Sequence, residues 1–320
     1  MHARSALAVC AALLALPAAA QTPYPAKPVR IIVPYAAGGN TDFTARAVAE
    51  KLTEAYKRQV IVDNRPGGAT NIGAEVVAKA PADGYTLLMG GASNAINMSL
   101  FKKLPYDTLR DFEPIVLCVQ GANVLAVHPS LPAKNLKEVI ALAKAQPGKL
   151  NFASSGLGSS NQMAGELMKM MAGINIVHVP YKGNAPALTD LLGGHVEMIF
   201  NGVPSVLPLI NSGRVRGIAI GSLKRFPALP NLPTFDESGL KGYEATTWFG
   251  LLAPAKTPKE IVAKLNADVD RVLKGPDLRE RFINEGIEPI GGSPESFTKF
   301  IRAEINKYAK VIKATNVPQQ

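Results

Sequence analysis

Twice along this chain a β-branched run passes into a Gly/Ser/Asn-rich turn and then into an amphipathic helix: VRIIVPYAAGGNTDFTARAVAEKL from Val29 and LNFASSGLGSSNQMAGELMKM from Leu150. Glycine lets the backbone approach a ligand closely, and the helix that follows aims free N–H groups and the positive end of its dipole into the turn. Two anion-receptive turns on one chain predict one ligand held between two lobes.

The segment ahead of the first turn reads as an export signal. His2 and Arg4 give a basic start, SALAVCAALLALPAAA is an apolar stretch, and Ala18, Ala19 and Ala20 fit a small-residue cleavage site. Residues 1–20 are therefore expected to be a signal peptide, with Gln21 opening the mature chain. The stretch is too short for a membrane anchor, and no stop-transfer pattern follows. Val9 is bulky for the residue before an acylated Cys10, which argues against a lipoprotein. Loss of Arg4 takes the formal net charge from +10 to +9 and leaves Cys118 alone, so no internal disulfide is expected. The remaining chain of about 300 residues suffices for one large domain or two ordinary lobes.

Lysine and arginine are spread along the sequence with no long basic run and few aromatics for base stacking, so nucleic acid is not the expected partner. A general positive field favours encounter with small anions, while solvated helix faces account for most of the charge.

Strands are expected at residues 29–34, 60–63, 85–89, 115–119, 124–128, 150–154, 176–180, 196–200, 215–220 and 249–253, with helices between them. Start signals for the helices are Asn135 with Glu138, Ser159 with Gln162, and Thr257-Pro258 with Glu260. Phe43, Ala47, Val48, Leu52 and Tyr56 form one apolar stripe, and Ile261, Leu265, Val269 and Val272 another; both read as core. The fold class is α/β with largely parallel sheets flanked by helices. PIVLCVQ and NVLAVHP, separated only by Gly121 and Ala122, leave no room for a crossover helix and predict one long bent strand passing between lobes. The Pro-rich FPALPNLPTFDESGLKGYE ahead of WFGLLAP suits the return. Lobe one is then expected to comprise 21–121 plus 226–320, and lobe two 122–225.

PVRIIVPYAAGGNTDFTAR, VDNRPGGATNIGAEVVAKAPADGYTLLMG, HPSLPAKNLKEVIALAKAQPGKLNFASSGLGSS, VHVPYKGNAPALTDLLGGHVEMIF and WFGLLAPAKTPKEIVAKLN, in this order, resemble the Bug proteins, the receptors of tripartite tricarboxylate transporters. The resemblance covers essentially the whole mature chain. It implies a periplasmic two-lobe binding protein of the Venus-flytrap kind that closes over a small carboxylate, with the membrane subunits of a tripartite transporter as partners. It also implies a monomer with no cofactor and no metal.

Mapped onto this sequence, the resemblance places ligand turns at 35–42 and 90–97 in lobe one, and at 154–161, 181–187 and 201–205 in lobe two. The contacts it implies are Tyr35, Ala37, Gly38, Gly39, Asn40, Thr41 and Asp42, then Gly91, Ser93 and Asn94. In lobe two they are Ser154, Ser155, Gly156, Gly158, Ser159, Ser160, Tyr181, Lys182, Gly183, Ala185, Asn201 and Ser205. Similar proteins hold the carboxylate mainly through backbone N–H groups, hydroxyls and waters. Asp42 either steadies a helix start or reads a ligand amine or hydroxyl. The serines divide between capping and donation. Lys182 either meets a distal carboxylate or is a solvated turn lysine, and Tyr35 covers the ligand or packs in the core. Asn201 stands where many similar proteins carry Asp, which makes an ammonium ligand less suitable and a di- or tricarboxylate, hydroxy acid or aromatic acid more so.

Catalysis lacks parts. His128, His178 and His195 show no metal-ligand spacing, there is no G-x-S-x-G elbow, Cys118 sits in an apolar strand, and Gly156-x-Gly158 lacks the third glycine of a dinucleotide fingerprint. A receptor that signals to a membrane sensor kinase would have the same fold and pocket, so the sequence leaves that alternative open.

Overall fold

Ile31 and Ile32 are neighbours in the chain yet enter different hydrophobic cores, because successive side chains of a strand point to opposite faces of the sheet. With both faces covered, β1 (Val29–Val33) carries an almost unbroken apolar run in place of an alternating one. The computed structural model describes residues 24–320; the expected signal peptide, Cys10 and the cleavage point at Gln21 lie outside the described residues. No described helix is long and apolar enough to cross a membrane.

After β1 come α1 (Asn40–Tyr56), β2 (Val60–Asn64), α2 (Asn71–Ala78), β3 (Thr86–Gly91) and α3 (Ala92–Leu100). β1 pairs parallel with β2 on one side and β3 on the other. The chain then runs through β4 (Phe112–Val127) into a second set: α4 (Leu136–Ala145), β5 (Asn151–Ser154), α5 (Ser160–Ala172), β6 (Val177–Pro180), α6 (Asn184–Leu192), β7 (Met198–Gly202), α7 (Val203–Asn211) and β8 (Arg216–Ile220). Here β5 is parallel to both β6 and β7. The chain returns through β9 (Thr246–Pro254) and ends with α8 (Lys259–Lys274), α9 (Pro276–Asn284), β10 (Ile287–Gly291) and α10 (Pro294–Thr315).

The strand order is β2-β1-β3-β9-β4-β7-β5-β6, with β8 and β10 also paired to β4. PIVLCVQ and NVLAVHP do fuse into one strand. Its residues up to Ala122 pair with β9, and those from Asn123 onward pair with β7. Register shifts along it supply bends. Ile115, Val116, Val119, Val124, Leu125 and Val127 are all fully buried, each side chain stabilising the fold by about 1.5–3 kcal/mol.

Three sequence expectations need correction. The sheet is mixed, because β3 to β9, β9 to β4, and β4 to β7, β8 and β10 are antiparallel. A chain that crosses over on one strand and returns on its neighbour must run both ways. β10 was not anticipated: Pro289 and the outward-facing Glu288 and Ile290 disguise an edge strand as a loop. Thr257 is no cap, since its hydroxyl donates to the Pro254 carbonyl (2.8 Å) and α8 starts from Pro258. The other two starts are as expected, with Asn135 accepting from Glu138 N (3.0 Å) and Ser159 from Gln162 N (3.2 Å).

The Pro-rich return segment packs on one half of the sheet. Phe226, Leu229 and Leu232 share a core with Val203 and Val206, while Phe235, Tyr243 and Ala245 pack with Phe152 and Phe200. Residues 226–245 thus pack with the β5–β8 half, and the packing changes at Thr246. On the other half, Trp248 donates to Glu304 of α10 (3.0 Å) between the edges of Phe297 and Phe300. The same α10 also packs against α5, a helix of the opposite half.

Candidate ligand-binding cleft

The parallel strands β1, β3, β5, β6 and β7 each feed directly or through a short turn into a helix, and the residues at those helix starts are Gly39, Gly91, Ser159, Gly183 and Gly202. In open α/β sheets the carboxyl ends of the strands are where ligands bind, because helix N-termini converge there. Small start residues let these ends crowd together.

Contacts between the two halves join these starts. Ser93 Oγ donates to the Gly158 carbonyl (2.9 Å), and since that carbonyl can only accept, Tyr35 OH, 2.9 Å from Ser93 Oγ, must donate to the serine. Gly158 has φ of +70° and lies so close to α3 that a Cβ there would meet Asn97 Oδ1 at 2.6 Å. At the other end, a Cβ on Gly202 would meet Asn40 Nδ2 at 2.8 Å, so α7 and α1 begin against each other. Asn161 Nδ2 donates to the Phe200 carbonyl (2.7 Å) and reaches Asn201 Oδ1 (3.3 Å), linking α5 to the end of β7. Together these contacts draw the N-terminal ends of α1, α3, α5 and α7 towards one another across the two halves of the sheet.

The turn after β1 is braced by charge. Asp42 is buried and accepts from Gly38 N, Arg46 Nε and Asn64 Nδ2, each at 2.9 Å. Burial pushes its carboxyl up, but the hydrogen bonds from Arg46, Gly38 and Asn64 outweigh that and hold it below the ordinary carboxylate range. Asn64 Nδ2 also donates to the Tyr35 carbonyl (3.1 Å). Of the two readings of Asp42, the geometry favours the helix-steadying one. Gly39 gives α1 no side-chain cap, and the first intrahelical bond is Phe43 N to Gly39 O (2.9 Å). The N–H groups of Asn40, Thr41 and Asp42 thus lack helical partners.

The turn after β5 is neutral. Ser154 Oγ lies 2.6 Å from His178 Nε2 and accepts from Gly156 N (3.1 Å). His178 stacks on Phe152, and burial, reinforced by Lys169, pushes its imidazole down to about 4, so it is uncharged at neutral pH. Ser159 caps α5 and donates to the Gly156 carbonyl (2.6 Å). The hydroxyls of Ser155 and Ser160 both reach Asn161 Oδ1 at 3.4 Å.

Four of the six glycines expected to face a carboxylate, Gly38, Gly91, Gly156 and Gly158, engage their N–H groups within their own turns, and so does Gly202. Gly38 donates to Asp42, Gly91 to Asn94, Gly156 to Ser154, Gly158 to Gln162 and Gly202 to Asn201. A buried amide must find a partner, and a neighbouring oxygen is the nearest one. What remain are helix first-turn donors and side-chain amides. Asn201, fully buried, receives Gly202 N and Asn161 Nδ2 on its oxygen, which fixes its orientation and leaves Nδ2 without a partner. Asn97 Oδ1 and Asn123 Oδ1 are likewise buried and unpartnered.

Tyr181 OH donates to Asp190 (2.6 Å), and Lys182, Ala185 and Ala37 are exposed. Gly183 and Ser205 are half-buried at the starts of α6 and α7. Sequence reasoning missed Asn64 and Asn123, and reached Asn97 only as the end of the 90–97 turn. An amide inside the apolar runs INMSL and GANVLAV was the available signal, since a buried polar side chain requires a partner.

Residues 44–317 match the family described as Tripartite tricarboxylate transporter family receptor. Protein BugT of Bordetella pertussis is 37% identical over 309 residues, 96% of this chain and 94% of its own. Among solved structures, R. palustris Rpa4515 with adipate has a TM-score of 0.87 at 38% identity, covering 92% of this chain and 99% of that one. MatC (Rpa3494) from Rhodopseudomonas palustris with bound malate has a TM-score of 0.83 at 31% identity, covering 90% and 100%. The mixed α/β fold is shared with these binding proteins, and the chain belongs to the tripartite tricarboxylate transporter receptor family, the Bug proteins.

Proposed function

We propose that this chain is a periplasmic solute-binding protein that closes over a small organic carboxylate and delivers it to the membrane subunits of a tripartite transporter. Lobe one comprises 24–122 with 246–320, lobe two 123–245, and a signal peptide ahead of them directs export. One observation carries the reading: uncapped first turns and an unpartnered, fully buried amide donor, Asn201 Nδ2, converge from both halves on one cleft. Donors without acceptors call for an anion. Asp42, the carboxylate at this cleft, is engaged by Arg46, Gly38 and Asn64, so a ligand ammonium finds no free acidic partner. The relatives carrying adipate and malate agree in ligand class. We assign contact roles to Asn40, Thr41, Ser155, Ser160, Asn201 and Ser205.

The energetics are sufficient. Micromolar affinity corresponds to about 8 kcal/mol. Four to six hydrogen bonds to a charged group, at roughly 1.5–3 kcal/mol each, supply the gross attraction, from which association and ordering subtract. Either lobe alone binds weakly, so closure and capture are one event. The experiment is thermal unfolding of protein refolded free of co-purified acids, with adipate, malate, citrate and an aromatic acid each compared with its amide. At about 100 times Kd an acid should raise Tm by roughly 5 °C, and the amide should not. Equal shifts for acid and amide would remove carboxylate recognition.

A further inference from the structure

On α1, Arg46 pairs with Asp42 and Lys51 with Asp277, and on α8, Lys264, Arg271 and Lys274 all have acidic partners. The last helix is different. On α10, Lys299, Arg302, Lys310 and Lys313 are exposed, and none has an acidic partner at ion-pair distance among the described residues, while Lys307 is paired with Glu304. At about 100° and 1.5 Å per residue, those four fall within an arc of about 80° and run along about 21 Å of the helix. Asn306 stands between them, and Glu295 in the first turn is the one acid on this stripe. The opposite side of α10, with Phe297, Ile301, Tyr308 and Ile312, is buried in the core. The end of α3 prolongs the ridge. Lys313 shares an open groove with Met98, Ser99 and Phe101, and Lys102 N donates to the Gln320 carbonyl (2.9 Å), so the exposed Lys102 and Lys103 follow at the Lys313 end.

From this ridge we infer that α10 and the end of α3 form a docking surface for an anionic lipid bilayer. Lys299 with Arg302, and Lys310 with Lys313, are like charges three residues apart, an arrangement that weakens a helix unless an anion lies over it. Lysine tips on long flexible stems meet headgroups that are themselves mobile, so no fixed pocket is needed. Each cation close to an anionic surface multiplies the affinity roughly fivefold. A protein partner calls for fixed recesses and directed hydrogen bonds, and this face offers solvated cations instead. Because the apolar side of α10 is already spent on the core, the attachment is electrostatic, reversible and sensitive to salt. None of these residues belongs to the cleft, so their role does not depend on which ligand the cleft holds.

Co-sedimentation of the purified protein with lipid vesicles tests this surface. Vesicles with about one-third phosphatidylglycerol in phosphatidylcholine should bind the protein at low salt, vesicles of phosphatidylcholine alone should not, and about 0.5 M salt should release it. Lys310→Gln with Lys313→Gln should weaken binding by about 25-fold. Lys137→Gln with Lys144→Gln, which removes the same charge from the exposed face of α4, should change it by less than about threefold. Lys310→Arg with Lys313→Arg should bind as the wild type does. Absence of binding to the anionic vesicles, as an acidic protein segment for a partner would produce, overturns the lipid assignment, and so does equal binding to both kinds of vesicle. Equal losses from the α10 and α4 pairs, or no loss from either, would take the binding away from α10 and overturn it as well.

Discussion

The turns after β1 and β5 look alike in sequence, each a glycine-rich link from a strand to an amphipathic helix, yet they are built on different physics. The first is braced by a buried carboxylate tied to Arg46 and Asn64, and it leaves α1 uncapped. The second has no charged brace; hydroxyls and amides satisfy one another, a neutral histidine supports Ser154, and Ser159 caps α5. The same pattern therefore yields an open donor surface on one side and a self-satisfied wall on the other. The difference teaches that a glycine-rich turn announces close approach, while the polar neighbours decide whether its N–H groups remain available.

Their glycines should respond unequally, and this is the largest expected effect. A Cβ at Gly158 falls on Asn97 with φ at +70°, whereas one at Gly39 has ordinary contact with the Ala36 carbonyl at 3.8 Å. Gly158→Ala should wedge the halves apart and weaken carboxylate binding by about a hundredfold, about 2.7 kcal/mol. Gly39→Ala should stay within about threefold, a change of about 0.7 kcal/mol. Parallel titrations of the two variants test the asymmetry, and equal losses would erase it.

Acid should loosen the second turn before the first. The His178 imidazole is held at about 4 against an ordinary 6.5, so the unfolded chain binds the extra proton between those values. The stabilisation from neutral His178 is complete above pH 6.5 and is lost as pH falls to about 4, amounting to roughly 3 kcal/mol. Asp42, with its folded value depressed below 3.8, keeps its full contribution above that pH and loses it only further down. Denaturant melts of His178→Gln between pH 7 and 4 should be flatter than wild type; an unchanged slope contradicts the assignment.

Loss of the α5 cap is a smaller effect. Ser159→Ala removes the bond to Gln162 N and the donor to Gly156, and should cost about 1 kcal/mol in a urea melt. An effect within error would mean that the cap is redundant. Lys182→Ala, at an exposed turn lysine, should change affinity by less than about twofold, since exposed charges contribute roughly 0–1 kcal/mol. A large loss would shift the anion's position towards α6.

The strand–helix alternation, the fused β4 and the apolar stripes of α1 and α8 were legible in the sequence because periodicity and strand spacing are local properties. Antiparallel pairing of β9 and β10 was not, because it follows from where the chain returns. Among the site residues, the turns were legible and their hydrogen-bond partners were not. Nothing in SSGLGSS tells that Gly158 N answers to Gln162 or that its carbonyl answers to Ser93 across the cleft.

The central claim is that both halves grip one carboxylate at the starts of α1, α5 and α7. A crystal structure grown with malate or adipate tests it directly. The account predicts a carboxylate oxygen about 3 Å from Asn201 Nδ2, with first-turn N–H groups of α1 facing the same ligand. A ligand touching one half alone, or seated away from Asn201 while that amide stays unpartnered, would contradict it.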